Sequence, residues 1–190
     1  MAFPQVAVID NFDSFTFNLV HYLEIITGKT PHVFRNDVSP ELIKNYDALL
    51  FSPGPGLPSQ AGNMMEMIRK FSSFKKILGV CLGHQAIGEV FGASISNLPE
   101  VLHGVACTVH HSGSSKLFNE LPSELVTGHY HSWVISRKNF PDDLEIIAED
   151  HQGNIMALTH RRFEVTGIQF HPESILTPSG LQLLENWLLA

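Results

Sequence analysis

A cysteine between two glycines is the first place in this sequence where chemistry could begin. In Leu78-Gly79-Val80-Cys81-Leu82-Gly83-His84-Gln85 the glycines stand two residues before and two after Cys81. The apolar run from Ile77 to Val80 reads as a strand, and a helix is predicted from about Leu82 to Val90. Gly-x-Cys-x-Gly therefore spans a strand-to-helix turn, the cysteine counterpart of the serine nucleophile elbow. Such a turn pushes the side chain clear of the backbone, and the glycines remove Cβ atoms that would collide there. The sulfur would sit at a helix N-terminus, where the dipole and free N–H groups favour negative charge. The Leu82 N–H would point to where an oxyanion forms. The competing reading of Cys81 is a small buried apolar residue, but two flanking glycines are poor choices for packing alone. Cys107 has no such setting and reads as a structural strand residue.

A thiol nucleophile needs a base that later returns the proton to the leaving group. Gly167-Ile168-Gln169-Phe170-His171-Pro172-Glu173 supplies one, with His171 and Glu173 just past the end of a strand read over 165–170. Ligands meet an open α/β sheet at such strand ends. Glu173 could accept a hydrogen bond from His171 and fix its tautomer. The competing bases are His84, His129 and His131, of which His84 lies on the helix after the elbow. A third segment, Ser52-Pro53-Gly54-Pro55-Gly56-Leu57-Pro58, follows another strand. It reads as a surface turn or as a loop presenting backbone N–H groups to an oxyanion. It lacks the Gly-Lys-Ser/Thr ending of a phosphate-binding loop.

These segments need a scaffold that brings strand ends together. Val6 to Ile9, His32 to Arg35, Ala48 to Phe51 and Ile77 to Val80 read as strands. Between them lie a helix with Phe15, Leu19, Tyr22, Leu23 and Ile26 on one face, a short helix at Leu42 and Ile43, and a helix marked by Met64, Met67, Ile68 and Phe71. Asp13 or Ser14 is expected to cap the first helix and Gly28 to stop it. This βα alternation predicts an α/β fold: an open, mainly parallel, flavodoxin-like sheet with helices on both faces. A strand-rich extension follows, with candidates near 102–110, 133–136, 144–148, 155–160 and 165–170. A last helix is expected from about Pro178 to Leu189, with Leu181, Leu184 and Leu188 on one face. No repeat or linker divides the chain, so residues 1–190 read as one domain.

Composition narrows the function. The chain has 190 residues and a formal net charge of −7, with no lysine/arginine run, which argues against nucleic acid or anionic membrane as partner. No apolar stretch approaches the ~20 residues of a membrane span, and MAFPQVAVID reads as a first strand and not as a signal peptide. Two cysteines make no disulfide framework, which points to a reducing, cytoplasmic setting. The 11 histidines follow no metal-binding spacing, so no metal site is expected.

Taken together, the three segments resemble the class I (triad-type) glutamine amidotransferases over nearly the whole chain. Asp10-Asn11-Phe12-Asp13-Ser14-Phe15-Thr16, Leu102-His103-Gly104, Tyr130-His131-Ser132 and His171-Pro172-Glu173-Ser174-Ile175-Leu176 look like the branch serving chorismate-using synthases, the small subunits of anthranilate and aminodeoxychorismate synthases. One departure is Val105 after the His-Gly pair, where many members of that branch have lysine. The resemblance implies Cys81 as nucleophile, His171 as base and acid, and Glu173 as its orienting partner. It implies an oxyanion hole from the backbone of Gly56 and Leu82. Gly54, Gln85 and the backbone of Ser132 and Trp133 would hold the amino-acid end of L-glutamine. It further implies that the partner is a large chorismate-binding synthase subunit, and that glutamine hydrolysis needs no cofactor, any Mg residing on that partner. Two alternatives stay open: a glutaminase of another synthase or a γ-glutamyl hydrolase on the same fold, and a non-catalytic flavodoxin-like regulatory module in which Asp10 and Asp13 form an acidic pocket.

Overall fold

The computed structural model describes residues 3–190; Met1 and Ala2, which open the segment read as the first strand, lie outside them. The first half alternates as expected: β1 (Val6–Asp10), α1 (Thr16–Thr27), β2 (His32–Arg35), β3 (Ala48–Phe51), α2 (Met64–Phe71), β4 (Lys76–Val80) and α3 (Leu82–Val90). The second half contributes β5 (Ile95–His111), β6 (Glu124–Ile135), β7 (Leu144–Asp150), β8 (Ile155–His160), β9 (Val165–Ile168) and α4 (Gly180–Leu189). The strands form one sheet in the order β2-β1-β3-β4-β9-β8-β7-β5-β6. From β2 through β9 the neighbours are parallel. From β9 to β6 they are antiparallel. The strand-rich extension is thus continuous with the parallel half.

Helices cover both faces, and β1 shows how. Val6 and Val8 pack with Leu19, Val20 and Leu23 of α1 and with Leu183, Leu184, Trp187 and Leu188 of α4. Ala7 and Ile9, on the opposite face, pack with Met64, Met67, Ile68 and Phe71 of α2 and with Leu82, Ala86 and Ile87 of α3. Burial on both sides is why β1 reads as an unbroken apolar run. No helix of the described residues is long and apolar enough to cross a membrane.

The structure moves several boundaries. The N-cap residue of α1 is Phe15, not Asp13 or Ser14, and it makes no side-chain cap. Asp13 Oδ1 instead accepts the Phe15 N–H at 2.7 Å, closing a turn just ahead of the helix. β6 reaches far upstream of the expected 133–136. Its buried positions include Thr127, His129 and His131, so no apolar alternation announces it. β5 extends beyond 102–110 at its start and is mostly exposed, with register shifts between Asn97 and Leu102 and between His103 and Val105. α4 starts at Gly180 rather than Pro178: the Gly180 N–H donates to the Thr177 carbonyl at 3.0 Å, so Pro178 and Ser179 form a turn ahead of the helix. Leu181 is 38% exposed, and the buried face is Leu183, Leu184, Trp187 and Leu188.

The turn from β4 into α3 depends on close backbone contact. A Cβ at Gly79 would overlap the Gly83 carbonyl, and one at Gly83 would lie 2.6 Å from the Phe51 carbonyl oxygen. Backbone atoms cannot swing aside as a side-chain tip can. Gly83→Ala is therefore expected to cost about 1–3 kcal/mol, the usual range for overpacking, measured by chemical denaturation. An unchanged midpoint would contradict the close seating of α3 on β3.

Candidate active site

β3, β4 and β9 are neighbours in the sheet. Their C-terminal ends carry the Ser52–Pro58 loop, Cys81, and the segment from Gln169 to Glu173. Parallel pairing thus delivers three separate stretches of sequence to one place.

Cys81 lies between β4 and α3 with φ 52° and ψ −98°. Positive φ in a residue with a side chain costs about 1–3 kcal/mol, and persists only where the surroundings enforce it. Here the Cys81 N–H donates to the Ile168 carbonyl at 2.8 Å, and the Cys81 carbonyl accepts the Gln85 N–H at 3.0 Å as α3 begins. Cys81 is 6% exposed, at the N-terminus of that helix.

His171 is fixed through its backbone before its ring makes any contact. Its N–H donates to the Gly128 carbonyl at 2.9 Å. Thr177 Oγ1 donates to the His171 carbonyl at 2.6 Å and accepts the Gly128 N–H at 2.9 Å, tying the loop to β6. On the ring, Nδ1 lies 2.7 Å from Glu173 Oε1, both residues being buried. An ionised carboxylate only accepts, so Nδ1 carries the proton and Nε2 faces the other way. Nε2 is buried without a formed hydrogen bond. Burial by itself lowers the pKa of His171, but the Cys81 and Glu173 side chains outweigh it and raise the value to about 10. Cys81 therefore couples to the ring although no aligned Nε2–Sγ bond is made, the looser geometry common before substrate binds. The rings of Phe15 and Tyr130 wall the imidazole at 5.7 and 4.9 Å between centroids.

A cleft of about 310 Å³ opens on Cys81, lined by Gly54, Gly56, Gln85, Ser132 and Trp133 among others. The N–H groups of Gly56 and Leu82 donate to no protein acceptor among the described residues. The Gly/Pro loop rests directly on the elbow: a Cβ at Gly54 would lie 2.8 Å from Leu82 Cδ2 and 2.6 Å from Asn11 Cβ. Asn11 anchors the loop by donating from Nδ2 to the Ser52 carbonyl at 2.8 Å and accepting from Asn36.

The competing bases are placed elsewhere. His84 is fully buried with its ring against Gly167, and burial drives its pKa down to about 3. Neither of its ring nitrogens makes a well-formed hydrogen bond, although the backbone of Gly167 and Ile155 is near enough to offset part of that burial. His131 lines the cleft and meets His129 at 2.9 Å, and His129 meets Thr127 Oγ1 at 2.8 Å. Burial lowers His131 to about 3 and His129 to about 4, so both stay neutral links in this chain at neutral pH. Cys107 is a free cysteine on β5, outside the cleft lining. Among the described residues no group of three acidic, histidine or cysteine side chains is placed to hold a metal.

Two residues without a role in the sequence analysis enter the site. Thr177 clamps the His171 loop, and nothing in its spacing signals this. Gln169 Nε2 lies 3.6 Å from Cys81 Sγ. It stands two residues before His171, in the bend that follows β9, and only the fold brings it to the sulfur.

Residues 7–190 match the family model described as Glutamine amidotransferase class-I. The chain is 40% identical to anthranilate synthase component 2 of Lactococcus lactis, over 96% of this chain and 93% of that protein. It is 43% identical to aminodeoxychorismate synthase component 2 of Klebsiella aerogenes, over 97% and 99%. It is also 43% identical to the bifunctional protein TrpGD of Thermotoga maritima, of which it spans only 32% while 97% of this chain is matched. A crystal structure of a Thermoplasma acidophilum protein, provisionally assigned to GMP synthase, superposes with a TM-score of 0.88 at 25% identity, over 99% of this chain and 94% of that one.

The buried histidines make a pH prediction. Unfolded, His84, His129 and His131 titrate near 6.5; folded, they titrate at about 3, 4 and 3. Between those values the unfolded chain binds more protons, so stability falls as pH drops below 6.5, by up to about 1.4 kcal/mol per pH unit for each. His171 works the other way: raised to about 10, its contribution is complete below 6.5 and is lost as pH rises through 10. Urea denaturation across pH should show a maximum near neutrality, and His84→Asn should flatten the acid slope. Wild-type stability that stays level from pH 6.5 to about 4.5 would contradict neutral burial of these rings.

Proposed function

Because the chain belongs to the class-I glutamine amidotransferase family, we propose that it is the glutamine-hydrolysing subunit of a chorismate-using synthase. One observation carries the chemistry: Glu173 holds Nδ1 of a buried His171 at 2.7 Å, leaving Nε2 free beside a cysteine on a strained elbow.

L-Glutamine enters the cleft with its amino-acid end on Gln85, Gly54 and the backbone of Ser132 and Trp133, and its carboxamide at the sulfur. His171 Nε2 takes the Cys81 thiol proton, and the resulting thiolate attacks the carboxamide carbon. The C–S bond forms and the carbonyl electron pair moves to oxygen, which the Gly56 and Leu82 N–H groups receive. Each such donor is worth roughly 3–4 kcal/mol of barrier. His171 passes the Nε2 proton to the departing nitrogen, ammonia leaves, and a γ-glutamyl thioester remains. His171 then takes a proton from water, the hydroxide adds to the thioester, and collapse returns the pair to sulfur and releases glutamate. Glu173 stays ionised throughout and holds the ring in one tautomer. These steps use no metal or organic cofactor; any Mg belongs to the partner.

Free ammonia is useful only if it reaches a second site before escaping to solvent. That requirement supports a heteromer with a large subunit that binds chorismate. Relatives of near-equal similarity carry the anthranilate and the aminodeoxychorismate names, which supports a product decided by the partner. Two free cysteines suit a reducing cytoplasm. A second reading, a glutaminase serving another synthase, is supported by the structural likeness to the Thermoplasma protein.

The test combines the purified chain with each candidate large subunit, chorismate and glutamine, and identifies the aromatic products. Anthranilate or aminodeoxychorismate is expected, and glutamine hydrolysis with neither product would favour the second reading. Cys81→Ser should abolish glutamine-driven synthesis and spare synthesis from free ammonia. Loss of both would refute the division of labour.

A further inference from the structure

We infer that Gln169 is a further catalytic residue, one whose side-chain amide donates to the Cys81 sulfur and holds negative charge there, with Gln85 fixing its polarity. The inference rests on Cys81 being the nucleophile, as proposed above.

The amide orientations follow from a chain of partners. The Trp133 backbone carbonyl only accepts, so the Gln85 atom 2.9 Å from it is the amide nitrogen. That same nitrogen lies 3.3 Å from the Gln169 side chain, and having only protons to offer it requires Gln169 Oε1 to face it. Nε2 of Gln169 is then turned to Cys81 Sγ at 3.6 Å. A flipped Gln169 would set N–H against N–H at one end and oxygen against sulfur at the other. Polarity therefore runs in one direction, from a backbone carbonyl through two amides to the sulfur.

A structural role does not account for this arrangement. Gln169 is fully buried, and its backbone is already held by its N–H to the Met156 carbonyl at 2.8 Å. An amide buried without partners costs more than an apolar side chain of the same shape. The partners of this one are Gln85 and the sulfur. Gln85 in turn lines the cleft, and its Oε1 makes no hydrogen bond to protein among the described residues. That oxygen is free to accept from the ammonium group of the substrate. A single side chain thus touches substrate on one side and steadies the sulfur's donor on the other.

The donor acts alongside His171, as a fixed neutral hydrogen bond that gives up no proton. Before attack it favours the thiolate over the thiol. As the sulfur pair enters the C–S bond its hold weakens. When hydroxide has added to the thioester and the tetrahedral adduct collapses, the C–S bond breaks and the pair returns to sulfur, where the Gln169 N–H is already in place.

The test measures alkylation of Cys81 by iodoacetamide across pH, resolved by peptide mass spectrometry, in the full-length wild type, Gln169→Met and Gln85→Met. Iodoacetamide has no amino-acid end, so loss of a substrate contact by Gln85 is not read. For Gln169→Met the Cys81 rate should fall about tenfold at neutral pH and recover in alkali, the size of a hydrogen bond to a charged group. Gln85→Met should move the same way by less, and Cys107 should not change. For Gln169→Met with the partner present, kcat for glutamine hydrolysis should fall while KM changes little. A profile that superposes on wild type overturns the inference. If Gln169→Met fails to melt cooperatively, Gln85→Met decides, and an unchanged profile there overturns it. If wild-type Cys81 reacts no faster than Cys107 and no glutamine is hydrolysed with the partner, the proposed function itself fails.

Discussion

The backbone at Cys81 occupies a conformation that residues with side chains avoid, and the rest of the site is arranged around holding it there. At φ 52° the peptide plane turns so that β4 ends and α3 begins within one residue. Two conditions make this possible. Gly79 and Gly83 leave room where a Cβ would meet backbone carbonyls. The Ile168 carbonyl takes the Cys81 N–H, so the strain is set against a bond to the strand that also leads to His171. The same turn sends Cys81 to the face covered by α1 and α4 and Leu82 to the face covered by α2 and α3. The proposed nucleophile and oxyanion donor are adjacent in sequence yet belong to different packing clusters, so neither can shift without disturbing a core.

Around that turn the protein buries polar groups and fixes their hydrogen bonds. Such groups are costly unless partnered, and once partnered they hold their neighbours in place. Thr177 closes a ring between Gly128 and His171, and Glu173 closes the imidazole. His129 and His131 continue the chain toward the cleft wall. Two of the atoms left without partners are informative: His171 Nε2 and Glu173 Oε2 are buried and unpaired. The first is where the proposed reaction needs a proton carrier, so an unmet requirement of the resting fold coincides with the proposed reactive position.

What could be read from sequence follows from how local each interaction is. The elbow and the His-Pro-Glu step were legible because their chemistry is written within a few residues. The parallel strands were legible because burial on both faces makes them continuously apolar, as in Val6 to Ile9. β6 was not, since Thr127, His129 and His131 occupy its buried positions and are polar. The α1 cap was misplaced by two residues or fewer because Asp13 spends its carboxylate on a turn before the helix. A turn at Pro178 and Ser179 delays the start of α4, and the close approach of Gly180 to Pro172 is a contact that no periodicity encodes. Thr177 and Gln169 acquire their roles only when β4, β6 and β9 meet, which is tertiary information.

The central claim is that this scaffold makes Cys81 the nucleophile toward glutamine. The most direct measurement is to treat the chain, assembled with its partner, with a glutamine-mimicking electrophile and locate the adduct by mass spectrometry. Modification confined to Cys81 and suppressed by excess glutamine is expected. Modification of Cys107 instead, or no adduct in a verified complex, would contradict it.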